Sequence, residues 1–150
     1  MATSEDDIVG IVRDVYSAWT ERDMDAFFAN IHDNMVYVLH LDPAVVAMGG
    51  EHRGRIAFRS VLDRFRDTFI YLRFDRTRFK RSGSVVSLRV DYSCLHKASR
   101  QILSSSYLAE VTVCDRLIVR IEEFPDTGFV EAFFRFNAAV AASASSQDPA

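Results

Sequence analysis

The sequence predicts an α+β domain in which helices pack against an antiparallel sheet. In the N-terminal half, apolar residues recur every three or four positions, as on the buried face of a helix. From residue 70 onward the period drops to two over four consecutive segments, which indicates strands. A chain of 150 residues that is 49% hydrophobic can bury a single core without disulfides. Helices followed by neighbouring strands are typical of the α+β class.

Three helices are predicted before the strands. Ser4 is a suitable N-cap for the first, and apolar residues between Ile8 and Trp19 form its buried stripe. A second, short helix starts at about Met24. The third covers 55–69, where apolar positions alternate with Arg and Asp at helical spacing. These helices each present one apolar face, so we expect that face to meet the sheet.

The strands are bounded by recognisable turn residues. A first strand is predicted over 35–41, followed by a Gly- and Pro-containing loop over 42–54. The later strands are expected at about 70–81, 84–96, 101–114 and 116–124. Pro125 ends the last strand, and Asp126 or Thr127 can cap a final short helix. We therefore expect one domain over 1–140 and a flexible tail over 141–150.

Composition excludes several classes of function. A net charge of −3 gives little support to a nucleic-acid partner, and no apolar run approaches the ~18 residues of a membrane span. The acidic N-terminus is unlike a secretion signal, so a cytoplasmic location is expected. His and Cys show no metal-ligand spacing, and no glycine-rich phosphate loop is present; we expect neither metal nor cofactor. The 12 Phe, 5 Tyr and 1 Trp exceed the needs of a core this size and favour an apolar pocket or interface.

Four short segments carry a resemblance to a known superfamily. They are VYSAW at 15–19, HDNMVY at 32–37, GEHRGR at 50–55 and EEFPDT at 122–127. In this order and spacing they resemble the nuclear-transport-factor-2-like superfamily, in its SnoaL-like and limonene epoxide hydrolase-like branch. The resemblance implies a cone-shaped single domain whose three N-terminal helices pack on a strongly curved antiparallel sheet. It also implies a small hydrophobic ligand in the cone and a homodimer through the outer sheet face.

The strand over 84–96 has one apolar and one polar face, and two interpretations of it stay open. In the first, the apolar face is core, and Arg89 and Asp91 are solvated, as in most antiparallel sheets. In the second, Arg89 and Asp91 point into a cavity, and the apolar face lies outside. An apolar outer face would need a cover, most simply a second copy of the chain.

The hairpin turns predict which strand residues lie side by side. Counting outward from the turns places Arg89 opposite Leu108, and Leu108 opposite Glu123, in one row on one face. A one-residue slip would move these pairs to opposite faces. The resemblance to limonene epoxide hydrolase then implies that Asp91 is the acid, Glu123 the base and Arg89 the residue that orients them. A structural ion pair of Arg89 with either carboxylate is the alternative.

Further polar residues are candidates for the same site. His40 ends the first strand and is a possible general base or a hydrogen-bonded structural residue. By resemblance, Tyr16 matches an oxyanion-binding tyrosine of ketosteroid isomerases, Tyr37 a water-holding tyrosine of the epoxide hydrolase, and Asp126 an acid/base aspartate of SnoaL-like cyclases. Tyr16 as a core residue and Asp126 as a helix cap are the alternatives. The expected ligand-binding residues are Tyr16, Trp19, Tyr37, Phe58, Leu62, Phe65, Leu108 and Asp126.

The function predicted from these residues is acid/base catalysis without a cofactor. The substrate would be a small hydrophobic molecule, and the reaction an isomerisation, cyclisation, dehydration or epoxide-type hydrolysis. A non-catalytic ligand-binding domain and a protein-interaction domain of the same fold are the alternatives, because one fold hosts many functions.

Overall fold

Four helices and six strands make up the part of the chain that the computed structural model describes, which is the backbone of 5–147 and the side chains of 7–143. The elements are α1 (Glu5–Glu21), α2 (Met24–Ala29), β1 (Ile31–Leu39), β2 (Gly50–Arg53), α3 (Arg55–Thr68), β3 (Phe69–Ser82), β4 (Val85–His96), β5 (Ile102–Cys114), β6 (Leu117–Pro125) and α4 (Thr127–Gln147). The predicted α+β class is confirmed, with helices packed on a curved, unclosed sheet. The predicted cap Ser4 lies outside the described residues.

The sheet has the strand order β2-β1-β6-β5-β4-β3. Neighbouring strands run antiparallel except for β1 and β6, which are parallel, so the sheet is not purely antiparallel as predicted. The parallel pair places the end of β1 beside the end of β6, where Leu39 is the partner of Glu123. This juxtaposition builds one end of the site described below.

Two elements differ from the sequence prediction. The predicted loop over 42–54 contains β2, which begins at Gly50 with a φ of +89° and pairs with β1 at the sheet edge. The final helix is not short: α4 has 21 residues and continues through most of the predicted tail at 141–150. Alanine is abundant in that segment and is the best helix former. Residues 148–150 of the predicted tail lie outside the described part.

The core lies between the inner face of the sheet and the helices. Val12 and Val15 of α1 and Phe58 of α3 are almost completely buried, as are Val86 and Leu88 of β4. The alternating pattern of β4 therefore follows the first of the two interpretations, in which its apolar face is the core face. Its polar face lies on the outside of the sheet.

The outer face of the sheet is mixed in character. Ile102 and Leu108 of β5 and Phe124 of β6 are exposed there, and Leu108 pairs directly with Phe124. Charged residues of β4 lie beside them. The homodimer through this face stays a prediction. Over the described residues, no helix has the length and apolar character needed to cross a membrane.

Candidate functional site

A cavity of about 100 Å³ lies between the inner sheet face and the helices. Its wall is almost entirely apolar and aromatic, and Glu123 is the one acidic or basic residue in its lining. All five tyrosines of the protein and its single tryptophan line it. These residues are Tyr16, Tyr37, Tyr71, Tyr92, Tyr107 and Trp19. Much of the aromatic excess seen in the sequence therefore belongs to a pocket wall.

A β-bulge in β6 turns Glu123 into this cavity. Near the turn, Val113 pairs with Ile118, as the counting from the hairpin predicts. The next pair is Thr112 with Arg120, so Val119 is an extra residue on β6. Because side chains alternate along a strand, one extra residue inverts the face of everything that follows.

The bulge separates Glu123 from the row in which it was predicted. Leu108 pairs with Phe124 rather than with Glu123, whose partner is the buried Ala109. The predicted pairing of Arg89 with Leu108 is observed. Arg89 and Glu123 nevertheless lie on opposite faces of the sheet, so the predicted common row is wrong.

The Glu123 carboxyl sits in an apolar environment with one hydrogen-bond donor among the described residues. The Tyr37 hydroxyl donates to Glu123 Oε1 at 2.6 Å. Burial raises the pKa of Glu123 to about 7, and the Tyr37 hydrogen bond acts in the opposite direction. The side chain keeps some accessible surface because it faces the cavity. A carboxyl group with a pKa near neutrality can both take up and return a proton.

Tyr16 presents a second polar group to the cavity. Its ring stacks against Phe74 at 6.3 Å, and its hydroxyl is buried without a hydrogen-bond partner in the described part of the chain. Burial raises the pKa of Tyr16, and the nearby charge of Glu123 raises it further. An unpaired buried hydroxyl costs roughly 1–3 kcal/mol, which a bound oxygen atom would recover. The Tyr16 hydroxyl is therefore a candidate donor to a ligand whose entry moves the side chains that cover it.

Arg89 and Asp91 form an ion pair on the outer face of β4. Their side chains meet at 3.0 Å and are 36% and 30% exposed, and Arg89 also donates to the Ser106 hydroxyl at 3.3 Å. The hydrogen bond from Arg89 lowers the pKa of Asp91. Neither residue reaches the cavity, so the predicted trio with Glu123 is not assembled. The structural ion pair, the alternative considered above, is what the structure contains.

Three further predicted site residues lie outside the cavity. His40 is exposed, contacts Glu122 Oε2 through Nε2 at 2.6 Å, and stacks on Phe124. Asp126 is exposed and accepts a hydrogen bond from the backbone of Phe129 at the start of α4, so it acts as the helix cap. Leu108 is 53% exposed on the outer face because of the register described above.

The helical residues predicted for the site do line the cavity. Trp19, Phe58, Leu62 and Phe65 form its wall from α1 and α3. Several other wall residues were not predicted from the sequence, namely Phe27, Tyr71, Tyr92, Cys94, Tyr107 and Phe134. A signal for the β4 residues was present, because Tyr92 and Cys94 lie two and four positions after the apolar Val90 and so share its face. Among residues 7–143, no three His, Cys, Asp or Glu side chains gather as a metal site.

Comparison with known proteins assigns this chain to a family. The SnoaL-like domain family matches residues 12–121. A structure of TerC co-crystallised with polyporic acid is 15% identical with a TM-score of 0.76, covering 86% of this chain and 98% of that one. An NTF2-like protein from Burkholderia xenovorans LB400 is 19% identical with a TM-score of 0.74, covering 84% and 94%.

A candidate polyketide cyclase from Xanthomonas campestris pv. campestris is 21% identical with a TM-score of 0.65, covering 81% of this chain and 91% of that one. At such identities these likenesses show the fold alone. Comparison with functionally curated proteins gave no match. The family match spans most of the chain and includes α3 and β1 to β6 in full or in large part. The chain therefore belongs to the SnoaL-like domain family.

Proposed function

We propose that this protein catalyses proton transfer on a small, oxygen-bearing apolar molecule bound in the cavity, with Glu123 as the general base. The observation that carries the proposal is the Glu123 carboxyl, held in an aromatic cavity by Tyr37 with its pKa raised to about 7. Carboxylates in apolar sites serve as acids or bases near neutral pH for this physical reason.

The geometry supports a simple sequence of steps. The Glu123 carboxylate takes a proton from a carbon next to a carbonyl. The electron pair of the broken C–H bond forms a C=C bond to the carbonyl carbon, and the π pair of the C=O bond moves onto the oxygen. Tyr16 donates a hydrogen bond to that oxygen as charge develops. In an isomerisation, the Glu123 carboxyl then returns the proton to a different carbon of the enolate, and the C=O bond forms again. In a ring closure, the enolate carbon instead bonds to a second carbonyl carbon of the ligand, whose C=O π bond breaks, and the Glu123 carboxyl protonates the resulting alkoxide. Atoms and electrons balance without a cofactor.

The ligand class follows from the cavity wall. Aromatic side chains favour a ring, and the tyrosine hydroxyls favour oxygen substituents. Two similar structures support this class: one is of TerC with polyporic acid, and another is of a candidate polyketide cyclase. Epoxide-type hydrolysis has less support, because Arg89 and Asp91 lie outside the cavity.

The test uses 5-nitrobenzisoxazole, a probe that reports on any base in an apolar site. The base removes the C3 proton, the N–O bond breaks, and a coloured cyanophenolate is released. We expect the wild-type protein to accelerate this elimination, with a rate that rises with pH through about 7, where Glu123 ionises. Glu123→Gln should lower the rate by about a hundredfold or more, as expected for loss of a general base.

Glu122→Gln is the matched control. It removes the neighbouring carboxylate, which contacts His40 outside the cavity, and should leave the rate unchanged. Equal rates for wild type and Glu123→Gln would refute the catalytic proposal. If that result came with unchanged binding of an aromatic ligand, the protein would be a binding domain of the same fold.

A further inference from the structure

A second concave site, distinct from the cavity, is an open cleft at the ends of α1 and α3. It has a volume of about 700 Å³ and is closed on its other sides by the start of β3 and the turn after β4. Its lining residues from the two helices are Trp19, Thr20, Arg66 and Asp67, and those from β3 are Phe69–Phe74. Arg22, directly after α1, and Lys97, directly after β4, complete the lining. The lining of the cleft is much more polar than the lining of the cavity.

Positive charge dominates this cleft. Arg22, Arg66, Arg73 and Lys97 line it, against a single acidic residue, Asp67. Arg73 is engaged by Asp75 on the same strand. In the described part of the chain, the other three cations make no ion pair. Four cations against one lining carboxylate therefore leave the lining side chains with a net positive charge.

Arg66 is held in place at the centre of this charge. It donates a hydrogen bond to the Trp19 carbonyl at 3.1 Å, and its guanidinium lies 4.5 Å from the centre of the Trp19 ring. Burial lowers the pKa of Arg66, and the charge of Arg22 lowers it further, so the two guanidiniums are near neighbours. The charge of Asp63 acts in the opposite direction on the pKa of Arg66 and offsets part of this effect. Like charges kept close raise the electrostatic potential of the cleft.

Cations at the ends of two helices also have a structural role. Arg22 follows α1 and Arg66 lies in the last turn of α3, where the helix dipoles favour positive charge. That effect does not require Lys97, which lies after β4 and belongs to neither helix. The convergence of Lys97 with the two arginines is the observation that points to an anionic ligand.

The cleft and the cavity are neighbours. Trp19, Phe69, Tyr71 and Phe74 line both, so one layer of aromatic side chains separates them. A cavity of about 100 Å³ is smaller than the roughly 150 Å³ apolar cavity that accommodates benzene. A larger ligand must therefore displace side chains or extend beyond the cavity. A ligand that extends past this aromatic layer would meet the positively charged side chains of the cleft.

We propose that the cleft binds the anionic group, a carboxylate or a phosphate, of a ligand whose apolar part packs against this aromatic layer and the cavity behind it. The inference rests on the proposed function in one respect, because it names the charge of the molecule that the cavity takes. Guanidinium and ammonium groups recognise both anions, and arginine does so with paired hydrogen bonds.

The test compares three probes that differ only in their polar end. They are 4-phenylbutyrate, 3-phenylpropyl phosphate and the neutral 4-phenylbutyramide, titrated at pH 7.5 by calorimetry. Fluorescence gives a second readout, because Trp19 is the single tryptophan and lines both sites. We expect wild type to bind the anions more tightly than the amide, and the preference to weaken as salt is added. The two anions separate a carboxylate ligand from a phosphate ligand.

Charge-removing variants locate the anion. Arg22→Gln and Lys97→Gln should each weaken anion binding by about two- to fivefold, as expected for exposed ion contacts, and leave amide binding unchanged. Arg78→Gln is the matched control. Arg78 is exposed like Arg22 and has almost the same left-handed backbone, with φ of 58° against 59°, but lies outside the cleft.

Two results would overturn the cleft proposal. One is equal affinity of the wild-type protein for the anions and the amide, in which case the cations serve only the helix ends. The other is an equal loss of anion binding in Arg78→Gln, which would show a general effect of net charge. Because the probes do not react, the result is independent of the elimination assay. A retained anion preference in a protein without catalysis would remove the proposed reaction and leave the cleft site standing.

Discussion

Glu122 and Glu123 are consecutive residues on β6, yet the pKa values of their carboxyl groups are shifted in opposite directions. Glu122 points outward, where His40 and Arg120 contact it, and those contacts hold its pKa below the usual range. Glu123 points inward, where burial raises its pKa to about 7. The side chains are chemically identical, so the difference comes entirely from the face of the sheet on which each one lies.

The two faces also differ in how they satisfy polar groups. On the outer face, acids are matched with bases, as in the pairs Arg89–Asp91 and Arg73–Asp75. Among the described residues on the inner face, Glu123 has no cationic partner, and the Tyr16 hydroxyl has no hydrogen-bond partner. Buried polar groups left in this state destabilise a fold, so they are expected where a ligand completes them. These unsatisfied groups are the reason for placing the proposed site on the inner face.

The largest effect of the contrast between Glu122 and Glu123 is expected in the pH dependence of folding stability. The folded-state pKa of Glu123 is about 7, above its ordinary value of 4.5, so the folded state binds the proton more tightly. The contribution of Glu123 to folding stability should therefore be greatest below pH 4.5 and be lost as pH rises from 4.5 through 7. This loss lowers the free energy of unfolding by up to about 3 kcal/mol. Glu123→Gln should remove this decline, measured by urea unfolding at pH 5 and pH 8.

Glu122→Gln serves again as the control in these unfolding experiments. Its carboxylate has a lowered pKa, so it stabilises the fold at neutral pH and loses that contribution only in acid. The variant should keep the wild-type decline between pH 5 and pH 8. If the free energy of unfolding of Glu123→Gln still declines between pH 5 and pH 8, another group causes the decline. The proposed difference between Glu122 and Glu123 would then be wrong.

The sequence predicted one register correctly and one incorrectly, for a physical reason. The pairing of Arg89 with Leu108 followed from the turn, because β4 and β5 pair without interruption. The pairing of β5 with β6 shifts at Val119, where no glycine marks a bulge. Since Leu117, Val119 and Ile121 are all apolar, simple alternation fitted the strand equally well without a bulge.

Burial in β6 shows where the usual sequence signal fails. The inward residues Ile118 and Ile121 are three apart, a spacing that alternation does not produce. The helix stripes were more informative, because their period of 3.6 places Tyr16, Trp19 and Phe58 on faces that had to meet the sheet. A cavity, however, depends on the depth of the sheet's curvature, which no local pattern encodes. The sequence thus identified much of the wall but not which polar residues face it.

A smaller effect is expected at Tyr37, the donor to Glu123. Tyr37→Phe removes the hydrogen bond that lowers the pKa of Glu123, so that pKa should rise above its wild-type value of about 7. At pH 8 the ionised carboxylate would lose its donor, at a cost of about 1–3 kcal/mol in the free energy of unfolding. An NMR titration of the Glu123 side-chain carboxyl carbon measures the first effect, and urea unfolding the second.

Tyr16→Phe is the matched control for Tyr37→Phe. It removes a buried hydroxyl that has no partner, so the free energy of unfolding should stay unchanged or increase. If Tyr16→Phe destabilises the protein as much as Tyr37→Phe, the Tyr16 hydroxyl has a protein partner and is not reserved for a ligand.

The smallest effect is expected on the outer face. Asp91→Asn breaks the ion pair with Arg89, whose hydrogen bond lowers the pKa of Asp91. A lowered pKa means that the pair stabilises the fold above the ordinary pKa of an aspartate and loses that contribution as pH falls. The pair is open to solvent, so the loss at pH 7 should be close to the error of an unfolding measurement. Elimination of 5-nitrobenzisoxazole should be unaffected. A tenfold or greater loss of that activity in Asp91→Asn would mean that the outer face contributes to catalysis, because Asp91 lies on the opposite face of the sheet from the cavity.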